Sequence, residues 1–364
     1  MTDPREPVHT VYVGAHLFRA GLAAEWGALA LQALDAHAPD ARALAAAVDH
    51  PCDDGEYARL KDKLGREPVE DLRIDFEDGF GDRSDKEEDR AARAAAAELA
   101  GAMTRAGGPA SSGIRIKALS GERAARGGRT LELFAEALLE RSGGTLPPGF
   151  TVTLPKVEAI EDVTALVRLL DRLETRLGLA AGSLTLELMV ETPQAIVGSD
   201  GRCPLPALVA GAGGRCRGVH FGVYDYSAAL GIAPVHHGLR HPACDHARRV
   251  MQVALAGSGV ALSAGSTNVF PVPPRDNLLR AWRLHFQDVR HSLVNGFYQG
   301  WDLHAAQLVT RYAAVYSFFR EAVQSPAPGN VLEDPAAARV RRTLMRRAVD
   351  CGALTRAEAD AARA

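Results

Sequence analysis

"FTVTLPKVEAIEDVTALVRLLDRLETRLGLAAGSLTLELMVETP", residues 150–193, decides the fold. Two short runs rich in Thr, Val and Leu, 150–158 and 184–192, flank a stretch at 160–178 whose apolar residues recur at helical spacing. Strand, helix, strand is the unit that lays two parallel strands side by side. The same alternation continues in both directions. Further strands are expected at 10–14, 72–78, 113–119, 218–225, 260–266 and 298–304, separated by Ala/Leu/Arg-rich helical stretches and turn signals such as "SGGTLPPG" (142–149). Eight strands in this order, with no linker between them, predict an α/β fold, a (β/α)8 TIM barrel. A doubly wound open sheet is the alternative, disfavoured because no glycine-rich phosphate turn follows an early strand. Residues 41–65 read as a helical insertion after the first strand. The barrel is assigned to residues 1–322. Beyond it "QSPAPGN" (324–330) breaks the pattern, and 323–364 form a C-terminal helical appendage.

Bulk properties narrow the class. A hydrophobic content of 47% with 24% charged residues describes a globular chain. The net charge of -3 arises from mixed signs and points to neither nucleic acid nor an anionic membrane as partner. No apolar run approaches the roughly 20 residues of a membrane span. The start, "MTDPREPVHTVYV", lacks a basic segment followed by an apolar one, and the five scattered cysteines make no disulfide framework, so a cytoplasmic enzyme is expected. Arginine replaces lysine almost everywhere: only Lys61, Lys63, Lys86, Lys117 and Lys156 remain. Against that bias, Lys117 and Lys156, at the ends of apolar strands, read as chosen for a compact ammonium.

In such a barrel the reacting groups sit where strands end and on the loops that follow. The expected strands carry polar ends: Asp75, Glu77 and Asp78 on the second, Arg115 and Lys117 on the third, Lys156 and Glu158 on the fourth, Glu191 on the fifth, Asp225 on the sixth, Asp302 and His304 on the eighth. On strand five, Leu186, Leu188 and Val190 share one face, Glu187, Met189 and Glu191 the other. Inward glutamates need cationic partners, for which Arg115, Lys117 and Lys156 are available. Glu191 and Asp225, at neighbouring strand ends, suit either a divalent cation or N-cap and salt-bridge roles. Ser266 and Thr267, after strand seven, either offer hydrogen bonds to a substrate or belong to a plain turn. "HHGLRHPACDH" (236–246) has potential zinc ligands but no standard spacing and reads as a loop entering a helix.

"RIDFEDG", "GIRIK", "TLPKVE", "MVETPQA", "FGVYDYSAALG" and "GWDLHAAQ" occur in order over residues 70–310. In this the chain resembles the HpcH/HpaI aldolase and citrate lyase β-subunit-like family of the phosphoenolpyruvate/pyruvate barrel superfamily. It departs from the family at Lys117, where Asn is frequent, and at Ala305, where Pro usually follows the histidine. The resemblance implies that Glu191 and Asp225 hold Mg2+ (or Mn2+). It implies that Arg115 binds the substrate carboxylate or carbonyl oxygen, and that Glu77 and Asp78 border the metal, with Asp78 helping to move a proton. Lys156 matches the family's Pro-Lys lysine. The expectation is a Mg2+-dependent carbon–carbon lyase acting on a small 2-oxo or hydroxy acid or its coenzyme A thioester. Its catalytic residues would be Asp78, Glu77, Arg115 and Lys156, and its substrate-binding residues Arg115, Lys117, Ser266, Thr267 and His304. Alternatives are a malyl- or citramalyl-type thioesterase and a non-catalytic barrel. The resemblance also implies a homo-oligomer (trimer or hexamer). Val331, Leu332, Val340, Leu344, Met345, Val349 and Leu354 form an apolar stripe in the tail, expected to bury itself against a neighbouring subunit near that subunit's barrel mouth.

Overall fold

The computed structural model describes residues 5–103, 108–324 and 335–362. Eight parallel strands close into a barrel in sequence order: β1 His9–Gly14, β2 Asp71–Asp75, β3 Ser111–Arg115, β4 Thr151–Leu154, β5 Thr185–Val190, β6 Cys216–Phe221, β7 Ala261–Ser266 and β8 Gln299–Asp302. β8 returns to β1, with Gly300 beside His9 and Asp302 beside Val11. Between β1 and β2 lie α1 (Leu22–His37), α2 (Ala41–Val48) and α3 (Asp54–Arg66), the last two forming the expected insertion. Then come α4 (Asp85–Ala102), α5 (Ala124–Ser142), α6 (Ile160–Leu177), α7 (Leu205–Gly211), α8 (Val223–Ala229), α9 (Pro242–Ala254), α10 (Arg275–Val294) and α11 (Gln307–Gln324), one or two after each strand. α12 (Pro335–Cys351) and α13 (Arg356–Ala361) complete the chain. Among the described residues no helix is long and apolar enough to cross a membrane.

Local chemistry explains the boundaries. Ser84 and Glu87 form a capping box that starts α4, and Gly178, at φ 69°, ends α6 in the left-handed conformation. The strands stop earlier than the pattern predicts. Glu77, Asp78, Lys117, Lys156, Glu191 and His304 lie beyond the strand ends, and Asp225 lies in the first turn of α8. Apolar alternation continues into the loops because these also cover core, as buried Phe76, Ile116 and Val157 show.

The barrel interior is charged. Asp71, Arg73 and Asp75 alternate along β2 with Leu72 and Ile74, which belong to the apolar layer under the helices. Arg73 spans the lumen to Glu187 (Nη2 to Oε1 2.6 Å, Nε to Oε2 3.1 Å) and also donates to Asp71. Glu187 thus has its cation, but from β2 rather than from the three lysine and arginine candidates; Thr153 adds a hydrogen bond at 3.0 Å. Above this pair lie Tyr12, Met189 and Trp301.

Much of the tail's apolar stripe is covered by its own chain, while Val340 stays exposed. Met345, Ala348, Cys351 and Leu354 are buried within the chain itself, and Tyr316 of α11 donates to the Cys351 carbonyl at 3.1 Å. Arg347 pairs with Glu6 and lies 4.9 Å over the Tyr298 ring. Both partners immediately precede strands, so the tail sits at the N-terminal end of the barrel, away from the mouth. Val331, Leu332 and most of "QSPAPGN" lie outside the described residues. Deleting residues 335–364 is expected to lower unfolding free energy by about 3–6 kcal/mol, from the buried side chains lost. Urea unfolding checks this, and a truncated chain as stable as the full one would overturn it.

Candidate active site at the barrel mouth

The acidic turn after β2 is held by Asp75. Its Oδ1 accepts from the Glu77 amide at 2.9 Å and its Oδ2 from the Gly79 amide at 2.7 Å. The same carboxylate receives the Arg115 fork, Nε at 2.7 Å and Nη2 at 2.5 Å. Only glycine fits at 79, since a Cβ would lie 2.5 Å from Asp75 Oδ2. This grip leaves Arg115 Nη1 3.2 Å from Glu77 Oε2, 3.7 Å from Asp78 Oδ2 and 3.4 Å from Met189 Sδ. The guanidinium rests 5.2 Å over the Tyr12 ring.

Lys156 enters from the loop after β4 with φ 53°, a left-handed conformation that costs a non-glycine residue. Its amide donates to Glu191 Oε1 at 2.7 Å. Its ammonium pairs with Glu77 and lies 3.1 Å from Asp225 Oδ2 and 3.5 Å from Asp78 Oδ1. Glu191, the first residue beyond β5, is almost wholly buried. A Cβ at position 222 would lie 2.6 Å from its Cβ and 2.7 Å from Oε2, so the glycine of "FGVYD" is the surface on which Glu191 rests.

Electrostatics separate these acids. Burial pushes Glu191 up to about 8, despite the opposing pull of Arg115 and Lys156. Glu77 is also raised, chiefly by burial. Burial acts upward on Asp78 as well, but Arg115, the hydrogen bond with Glu77 and Lys156 outweigh it, and Asp78 ends below the ordinary range. Lys156 is held above its ordinary value: Glu191 and Glu77 more than offset the cost of burial. Five carboxylates, Asp75, Glu77, Asp78, Glu191 and Asp225, therefore face two cations, Arg115 and Lys156. That surplus, made of hard oxygen donors with one carboxylate buried beyond the compensation it receives, fits a divalent cation. Among the described residues no group of three or more His, Cys, Asp or Glu is placed to hold a metal ion. A seat with two carboxylates suits an ion that keeps several waters, as Mg2+ does.

The other expected residues are placed as follows. Lys117 is not at the mouth: its ammonium donates to the Phe76 carbonyl at 3.0 Å and to Glu88 of α4 at 2.6 Å, tying strand to helix. Thr267 is committed to Asp288 of α10 at 2.7 Å. Ser266 closes β7, its carbonyl accepting from Tyr224, the neighbour of Asp225, at 3.3 Å. His304 stacks on Phe270 of the loop after β7, with centroids 5.8 Å apart. Asp302 belongs to a buried network with His9 (2.6 Å) and Arg311 (3.0 Å) under the outer helices. In the histidine-rich stretch, His241 caps α9 and Cys244 is buried beside Ser227. The sequence reading missed the organising role of Asp75. Its signal was the period-two run Asp71, Arg73, Asp75 followed by Gly79.

A family model described as "Domain of unknown function (DUF6986)" matches residues 2–364. No curated protein matches. Among solved structures the chain is similar to a citrate lyase from Burkholderia xenovorans LB400 (21% identity, 99% of this chain and 97% of that one, TM-score 0.61). It is also similar to malate synthase from Haloferax volcanii, solved as a magnesium/glyoxylate complex (14% identity, 92% and 80% covered, TM-score 0.58). The same enzyme as a pyruvate/acetyl-CoA ternary complex matches at 14% identity, 96% and 80% covered, TM-score 0.55. These likenesses establish the shared barrel.

Proposed function

The chain belongs to the DUF6986 family, whose description assigns no activity, and for it we propose a Mg2+- or Mn2+-dependent carbon–carbon lyase. The substrate class is a small 2-oxo or hydroxy acid or its coenzyme A thioester. One observation carries this reading: Glu77, Asp78, Glu191 and Asp225 gather around Lys156 at the mouth, with one edge of Arg115 turned toward them. The barrel neighbours, solved with magnesium and glyoxylate or with pyruvate and acetyl-CoA, support the same ligand chemistry.

Glu191 and Asp225 would hold the cation, which when bound supplies electrophilic stabilisation of enolate charge as a carbon–carbon bond breaks or forms. The protein's own groups do the rest. Because Asp75 takes Nε and Nη2 of Arg115, the Nη1 edge is what meets a substrate carboxylate or carbonyl oxygen, already oriented before substrate arrives. Glu77 and Asp78 lie next to each other with opposite proton affinities. Glu77 keeps a proton more readily, and the more exposed Asp78, ionised, would take one from the substrate. Lys156 holds both acids and Asp225 in place. Ser266, at the end of β7, and His304, on the loop after β8, would serve as further substrate contacts.

Incubating the protein and Mg2+ with hydroxy acids and their coenzyme A thioesters, and assaying 2-oxo acid release, tests the proposal. Free thiol with an intact hydroxy acid would instead identify a thioesterase. With a substrate in hand, Arg115→Lys is expected to lose about a hundredfold in kcat/KM, since ammonium can neither grip Asp75 by two edges nor present a third. Near-wild-type kinetics would reduce Arg115 to a partner for Asp75.

A further inference from the structure

The tail helix α12 carries five arginines against one aspartate, in a chain whose net charge is -3. They divide by face. Arg341 and Arg347 turn toward the body, donating to the Val323 carbonyl and pairing with Glu6. Arg339, Arg342 and Arg346 recur at intervals of three and four, on one outward face. With Arg356 of α13 they line a groove of about 450 Å³ between the two helices. Arg346 also lies 3.8 Å from Glu6. Among the described residues Arg339, Arg342 and Arg356 form no ion pair. Like charges one turn apart disfavour a helix, and among the described residues Asp350 is the one acid lining the groove. Met345, Val349 and Ala359 line it too and give it an apolar floor.

We propose that the α12–α13 groove binds a phosphorylated organic anion of nucleoside-diphosphate class, at the end of the barrel opposite the catalytic mouth. Guanidinium forks match phosphate oxygens in pairs. The groove volume suits a nucleotide-sized ligand, and the apolar floor suits the flat base of such a ligand rather than a bare inorganic ion. The inference is independent of the lyase reading, because no residue of the mouth takes part.

Calorimetric titration of ADP and of inorganic pyrophosphate into the full-length protein, with EDTA present, tests it. Saturable binding of both is expected, ADP the tighter, weakening as salt rises. The Arg339→Ala/Arg342→Ala double variant, whose exposed side chains leave the melting temperature unchanged, should lose roughly tenfold or more in ADP affinity. Glu191→Gln should leave ADP binding untouched. No saturable binding, or equal affinity in the double variant, would overturn the site. Pyrophosphate binding as tightly as ADP would overturn the assignment to an organic ligand.

Discussion

Glu191→Gln is expected to abolish Mn2+ binding, measured by calorimetry, and to take lyase activity below detection. The amide keeps the shape of the side chain and can still accept from the Lys156 amide through its oxygen, but it cannot supply the charge a divalent cation requires. The fold should survive, and the sign of the stability change separates this from simple unfolding. The Glu191 carboxyl is pushed up to about 8 in the folded chain, above the ordinary carboxylate range. Such a group is neutral in both states at low pH, and its ionisation costs stability progressively as pH rises toward 8. Glutamine removes that cost. Without metal, the variant should therefore melt no lower than wild type at pH 8, and the difference should vanish near pH 4. A variant that binds Mn2+ as well as wild type would remove Glu191 from the metal site.

Among single substitutions, the largest stability loss should follow Arg73→Met. Arg73 and Glu187 are both buried in the barrel lumen, and Asp71 shares the same guanidinium. Removing one partner of a buried pair leaves uncompensated charge, at about 3–5 kcal/mol. Replacing both partners, as Arg73→Met/Glu187→Leu, should recover part of it, because the isolated carboxylate is gone while Asp71 still has Ser111 and Thr10. Urea unfolding of the two variants decides the matter. A loss under about 1 kcal/mol in the single variant would mean that the pair contributes no more than an exposed one.

The barrel was legible because alternation of strand-like and helical runs is a property of the chain alone. Glu77, Asp78, Lys156, Glu191 and Asp225 were legible as a group for the same reason: residues following parallel strands must share one end of the barrel. Partner choice was not legible. Whether Glu187 faces Arg73 or Lys117 depends on distances across the lumen. Lys117 stands just past the strand, where the side chain turns outward and meets Glu88. Likewise the tail's stripe says only that it must be covered, and the surface that covers it, α11, is set by the helix packing at the other end of the barrel.

The charges on β2 alternate in sign as well as in direction: Asp71, Arg73, Asp75 all project inward. A parallel strand with plain apolar faces can slide by two residues against its neighbours and still bury the same kind of side chain. Here a slide of two would exchange Arg73 for a carboxylate opposite Glu187, placing like charges together in a buried lumen. The ladder thus works as a registration key during assembly, selecting one alignment of the barrel from those that hydrophobicity alone would accept.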